Sequence, residues 1–261
     1  MQISLSVTIL LVLAAVVFVA GVVNGVAGFG FAIVGTMALA SLVAPAVAVV
    51  FMILPILAAN LTLVRELSVS DLRSCGTRFA PLIGSALVGT VAGMAVLDSL
   101  PAGPLRVALG VLTLGFVLTA QDAVPVPGLD RAKAGCFVES TPAMVGVGAV
   151  SGLVFGGTNV GVQLIAYVRS CNLSHGLFVG VVALVFLGLN AVRVGAAGVL
   201  GLYPDLTTVG LSAVAALPAV LGVTVGQRLR GHVTAQARRR AVFTLLALIG
   251  VRLLLGGLDI A

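Results

Sequence analysis

Residues 21–31 read GVVNGVAGFGF and residues 151–161 read SGLVFGGTNVG, each run lying inside a long apolar stretch. Glycine lets backbone groups leave the helical ladder, and a helix that restarts after a break presents free N–H groups and a positive dipole end. Interleaved amides and hydroxyls add side-chain donors. The chemistry these residue types support together is the holding of an anion. Asn24, Gly25, Gly28 and Gly30 form the first candidate cluster. Ser151, Gly156, Gly157, Thr158 and Asn159, with Gly152 and Gly161, form the second.

The spacing leaves a second role open. Gly21/Gly25, Gly89/Gly93, Gly148/Gly152 and Gly222/Gly226 are all GxxxG pairs, which let helices approach closely. Packing is the expected role of the 89/93 and 222/226 pairs. For the two clusters, the Asn, Ser and Thr side chains favour the lining of a wet site, because polar groups at membrane depth are costly without a purpose.

Other polar residues extend the candidate set. Asn60 and Asn190 sit in apolar segments, and Arg193, three positions after Asn190, shares its helix face. An intramembrane Arg either meets an anion or snorkels to the nearby surface. Leu63 stands three positions after Asn60, so any site is asymmetric. Gln163 and Tyr167 share a face and can hydrogen-bond an oxyanion, although an interfacial Tyr is an equal account. His175, after Ser174, opens a helix as a capping or interfacial residue, with proton relay as the other possibility.

Absences narrow the chemistry. All eight acidic residues fall in loops or at segment ends, so no buried carboxylate is available to carry a proton. Coupling is left to H⁺, on His175 or on the substrate, or to Na⁺ held by Asn side chains and unwound carbonyls. No cofactor or metal is expected. Cys75, Cys136 and Cys171 match no zinc or redox spacing and are expected as reduced thiols on cytoplasmic loops. The order GxxGxG at Gly25, Gly28 and Gly30, with no strand before it and no acid about 20 residues later, is not a dinucleotide loop, and no hydrolase motif is present. An enzyme is not expected.

The elements that must position these residues follow from composition. The chain has 261 residues, 60% hydrophobic and only 8% charged, with mean hydropathy +1.26. A soluble domain of this length needs far more charge, and segments of about 20 apolar residues cross ~30 Å of hydrocarbon as helices. This is an all-α polytopic membrane protein. Segments are expected at about 3–23, 27–44, 46–64, 80–97 and 104–120, then 142–156, 158–168, 176–196, 206–226 and 241–258. The first is read as a retained helix, since no Lys or Arg precedes it. The net charge of +6 sits in short loops, where it orients the chain in the bilayer; nucleic acid is not an expected partner.

The polar stretch 121–141 reads as a cytoplasmic linker between an N-terminal repeat, 1–120, and a C-terminal repeat, 142–261. Gly21, Gly25 and Gly30 pair with Gly148, Gly152 and Gly157 at a spacing of 127, Asn60 with Asn190 at 130, and Gly89, Gly93 and Arg106 with Gly222, Gly226 and Arg239 at 133. Arg65, Arg73 and Arg78 lie in the 65–79 loop, whereas its counterpart, 197–205, has no basic residue. Conversely, 227–240 carries Arg228, Arg230, Arg238, Arg239 and Arg240, and its counterpart, 98–104, has none. Positive loops face the cytoplasm, so the repeats are expected to be inverted, with five segments each and the short ones after the glycine clusters as half-helices or re-entrant stretches. A count of eight crossings is the alternative.

GVVNGVAGFGFAIVG, GAVSGLVFGGTNVGVQLIAYV and FLGLNAVRV together resemble the sulfite exporter TauE/SafE family of bacterial membrane permeases, over essentially the whole chain. The chain departs from the family's usual proline positions at Gly35, Thr36 and Met37 and at Val162 and Gln163. The resemblance implies a multi-pass protein of the bacterial inner membrane that moves sulfite or organosulfonates such as sulfoacetate. A secondary transporter working by alternating access is the expected function; a passive anion channel and a non-transporting scaffold are the alternatives. Oligomeric state is not legible.

Overall fold

The structure, a computed structural model, describes residues 7–65, 68, 70, 77–97, 99–120, 141–170 and 175–258. The three cysteines, the linker 121–140 and every acidic residue except Asp205 lie outside that set. The first half builds α1 (Val7–Ala27), α2 (Phe31–Ala40), α3 (Pro45–Phe51), α4 (Ile53–Val64), α5 (Ala80–Leu97) and α6 (Ala102–Ala120). The second builds α7 (Thr141–Thr158), α8 (Val162–Ser170), α9 (His175–Val199), α10 (Leu206–Leu229) and α11 (Ala235–Gly257). Among the described residues, seven spans are long and apolar enough to cross a bilayer, counting α3 and α4 as one interrupted span over Pro45–Val64. The protein is a multi-pass membrane protein.

Most of the exposed side chains on these spans are apolar, with Arg252 on α11 an exception. Val88, Val150, Leu217, Leu221 and Leu248 all face outward, as lipid contact requires. Helix association in lipid cannot draw on the hydrophobic effect and rests on close packing. The glycines supply it. Gly21 lies against Ala219, Gly222 and Val223, and Gly25 against Val223, Gly226 and Gln227, so α1 and α10 run side by side in the same direction. Gly89 lies against Ala149 and Leu153, and Gly93 against Leu153 and Gly157, so α5 and α7 do the same. The helices α6 and α11 pack with opposite sense, Gly110 meeting Gly250 and Leu254 while Gly257 meets Arg106 and Val107.

Contacts between the halves are therefore reciprocal, and they correct one pairing. Gly222 meets Phe18 and Val22 where Gly89 meets Ala149 and Leu153. The equivalent of Gly21 is thus Gly152, and that of Gly25 is Gly156, at a spacing of 131 rather than 127. The reason is periodic: Gly148, Gly152 and Gly156 recur every four residues, so a slide of about one helical turn matches the motif equally well.

The helix breaks also fall later than the glycine runs suggest. The α1 helix continues through Asn24 and Gly25 and stops at Gly28, which has φ 82, and Gly30 has φ 104. The α7 helix continues through Ser151, Gly152, Gly156 and Gly157 to Thr158 and stops at Asn159, which has φ 60. Asn is among the few non-Gly residues that tolerate this left-handed backbone. Gly28 and Asn159 are thus equivalent, 131 positions apart, each ending a long helix before a short one. At ten and nine residues, α2 and α8 extend about 15 Å as helices, half of a bilayer core.

A third break, at Met52 between α3 and α4, lies within the stretch expected as one continuous segment. Its cause is Pro55, which has no N–H to offer Phe51 O and whose ring crowds that carbonyl. Ser212 Oγ on α10 donates to the freed Phe51 O at 2.5 Å.

Candidate functional site

The two breaks and the third span enclose one recess. It is lined by Asn24 on α1, by Gly28–Ile33 across the first break and the first turn of α2, by Ile56 and Asn60 on α4, by Asn159, Gly161 and Ile165 at the second break, and by Val182 and Phe186 on α9. The first turns of α2 and α8 both border it, and such turns carry N–H groups without intrahelical acceptors. The free volume is about 20 Å³, room for about one water molecule.

The first break is organised by Asn24, which is 3% exposed. Its Oδ1 accepts from Phe31 N–H at 3.4 Å, doing from seven residues away what a capping residue would do. Gly30, at the cap position itself, has no side chain with which to do so. On α4, Asn60 Nδ2 donates to Ile56 O at 2.9 Å.

The second break is tied more heavily. Asn159 is wholly buried; its Nδ2 donates to Thr36 Oγ1 at 2.8 Å and to Val49 O at 3.0 Å, and its Oδ1 accepts from Arg193 Nη1. Val49 O is available because the α3–α4 span is interrupted three residues on. Thr158 Oγ1 donates to Val154 O and accepts from Val160 N–H at 3.1 Å, which closes the end of α7.

Arg193 lies behind Asn159 as seen from the recess and is 0% exposed, so it does not snorkel. Its Nη1 also reaches Asn190 Oδ1 at 3.2 Å, its Nη2 reaches Gly156 O at 3.5 Å, and its guanidinium sits 4.9 Å from the Phe155 ring centroid. Its Nε is buried without an acceptor. Asp205 is the only acidic residue among the described ones, and it caps α10 through Thr208 N–H. Among the described residues every partner of Arg193 is therefore neutral. Neutral dipoles offset only part of the cost of burying a cation, and the balance is an electropositive interior beside the recess.

Of the residues singled out from the sequence, Asn24, Gly28, Gly30, Asn60, Asn159 and Gly161 line the recess, and Arg193 and Asn190 stand immediately behind it. Gly25 and Gly156 do not line it. A Cβ on Gly25 would lie 2.2 Å from Val223 O and one on Gly156 2.2 Å from Thr90 O, so both are packing glycines, the other role that their spacing allowed. Gly157 lies against Gly93, and Ser151 and Thr158 belong to the α7 helix. Gln163 and Tyr167 are on α8 outside the recess, and α9 opens at His175. The Gly25 carbonyl, in the last turn of α1, accepts from Arg230 Nε at 2.9 Å, so one of the loop arginines also closes a helix end. Thr36, Val49 and Phe186 were missed. Pro55 was the signal for Val49, since a proline in an apolar span frees carbonyls upstream of it; nothing in the sequence marks the other two.

No curated protein and no solved structure matches the chain. A family model, Sulfite exporter TauE/SafE, matches residues 13–253, nearly its full length. A multi-pass helical protein with a recess bordered by two helix starts and backed by a buried guanidinium suits a family of membrane permeases for anions, and the chain belongs to the sulfite exporter TauE/SafE family.

Proposed function

We propose that this protein is a secondary transporter of a small sulfur oxyanion, sulfite or an organosulfonate such as sulfoacetate, in the bacterial cytoplasmic membrane, and that the recess is its substrate site. The observation that carries the reading is Arg193, a guanidinium with 0% exposure and only neutral partners, set behind a recess bordered by two helix starts. A charge so placed raises the affinity of the recess for anions and excludes cations, and the helix starts add donors without adding a carboxylate.

Alternating access fits the small free space of the recess. At about 20 Å³ it is small for a four-atom oxyanion, so passage calls for the elements around it to part on one side and then the other. The reading of two inverted repeats supports this. Equivalent helices α6 and α11 pack with opposite sense, equivalent breaks fall at Gly28 and Asn159, and arginines crowd opposite loops of the two halves. The half-length α2 and α8 are the moving boundaries between recess and solvent.

Counterflow of labelled sulfite in proteoliposomes tests the proposal. Saturable exchange, competed by sulfoacetate and reduced by Arg193→Gln and Asn159→Ala in folded protein, is the expected result. Flux that does not saturate points to a channel. No exchange of any sulfur anion sinks the transporter reading.

A further inference from the structure

Asn60 and Asn190 are equivalent, and the structure gives their amides the same posture: Nδ2 donates to the carbonyl four residues back, Ile56 O at 2.9 Å and Phe186 O at 2.8 Å. That bond fixes which end of each amide is oxygen. On α9 the remaining Oδ1 accepts from Arg193 Nη1 at 3.2 Å. On α4 Leu63 stands where Arg193 stands in the other half. Asn60, 6% exposed and lining the recess, is left with an Oδ1 that accepts no hydrogen bond among the described residues. Asn24 is its opposite. Its Oδ1 is taken by Phe31 N–H, so its Nδ2, with no partner among the described residues, is the end left for the recess.

The recess therefore presents several donors, at Asn24 Nδ2 and the helix starts, and a side-chain acceptor, at Asn60 Oδ1. A fully deprotonated oxyanion satisfies the donors but sets an oxygen lone pair against Asn60 Oδ1. An oxyanion that keeps one proton satisfies both, its O–H donating to Asn60 and its other oxygens accepting.

We propose that the site takes its substrate as the protonated monoanion, hydrogensulfite rather than sulfite, and that Asn60 Oδ1 is the acceptor that reads the proton. The reading rests on the proposed function and specifies the substrate form at that same site. The balance is simple: sulfite and one H⁺ combine to hydrogensulfite on one side, the monoanion crosses, and the proton is released with it on the other. One H⁺ then moves with each anion and no protein carboxylate takes part.

The test uses the full chain in proteoliposomes with methanesulfonate as the reference, an anion of the same charge with three unprotonated oxygens, a methyl group on sulfur and no O–H to donate. Wild-type protein is expected to prefer hydrogensulfite by about tenfold or more, the scale of one orphaned acceptor. Sulfite entry is expected to carry protons detectable by a trapped pH dye, and to fall as the pH rises through the range in which hydrogensulfite ionises. Asn60→Leu is expected to bring the preference close to one while methanesulfonate still binds. Should that variant fail to fold, Asn60→Ser, whose hydroxyl can serve Ile56 O and still accept, is expected to keep the preference, and the wild-type proton flux and pH profile decide. A preference unchanged in Asn60→Leu, a flux that follows the dianion, or a requirement for Na⁺ overturns the inference and leaves the transporter reading standing. Absence of binding by any of these anions overturns both.

Discussion

Replacing Arg193 by Gln separates two roles that a buried arginine can have. The side chain is wholly buried and touches Asn159, Asn190, Gly156 and the ring of Phe155, none of them charged. Asn159 in turn lines the recess, so one side chain separates the guanidinium from an anion there, on the order of 6–8 Å. At an effective dielectric constant of about 20 this distance gives about 2–3 kcal/mol per unit charge. Dissociation constants for a monoanion should then rise about 30- to 150-fold in the Gln variant. Added salt should narrow that ratio little, because buried charges are weakly screened.

Stability should move the other way. Gln can still donate to Asn159 Oδ1, and removing a cation that has no carboxylate partner relieves a burial cost of several kcal/mol. Calorimetric titration of sulfite in detergent, with the thermal midpoint recorded on the same preparations, reads both quantities. The expected outcome is weaker binding by one and a half to two decades at an unchanged or higher midpoint (about 30- to 150-fold). A variant that binds sulfite as tightly as wild type, or that loses more than about 10 °C while keeping its affinity, refutes the electrostatic role and makes Arg193 a structural tie of the α7 break.

Further expectations concern how the breaks are built. Asn159→Ala and Asn159→Gly lose the same side-chain bonds, but only Ala is strained at φ 60; Ala should be less stable than Gly by about 1 kcal/mol in thermal or denaturant unfolding, and equal midpoints would deny the strain. Ser212→Ala should cost about 1 kcal/mol in the wild-type background and much less in Pro55→Ala, where an N–H is restored to Phe51 O, so a double-mutant cycle without coupling contradicts the account of the α3–α4 break. Gly25→Leu should destabilise by about 1–3 kcal/mol or more, since the Cβ meets α10 backbone; retention of the wild-type midpoint would mean that the α1–α10 contact is not close.

Asp205 supplies a pH dependence. The Thr208 N–H bond holds its carboxyl below the usual carboxylate range. The stability it contributes is present above the unfolded value and is lost as pH falls through the lower folded one. Asp205→Asn should remove that acid-limb component from the midpoint-versus-pH curve, and identical curves for the two proteins would refute the cap.

Much of the bundle was legible because lipid imposes a simple rule. Every expected segment has a helix, and most boundaries fall within a few residues, because hydropathy and length alone decide what can cross hydrocarbon. The cost of polar groups at depth marked Asn24, Asn60, Asn159, Asn190 and Arg193, and these are the residues found in or directly behind the recess. Local sequence could not tell a packing glycine from a lining one. Gly25 meets the backbone of α10, some 200 residues away, whereas Gly28 ends α1 at φ 82 and lines the recess, and neither outcome is written in the local spacing. The four-residue glycine period likewise leaves the pairing of the halves open to a slide of about one helical turn.

The sequence by itself determined a multi-pass helical protein and its polar outliers, since each follows from composition and one-dimensional spacing. The tertiary structure alone decided that Asn159 faces Thr36 and Val49, that Arg193 turns inward to it, and that Asn60 keeps an acceptor free. Those facts depend on which helices meet and on which end of an amide is already bonded, and both are properties of contacts between residues far apart in the chain.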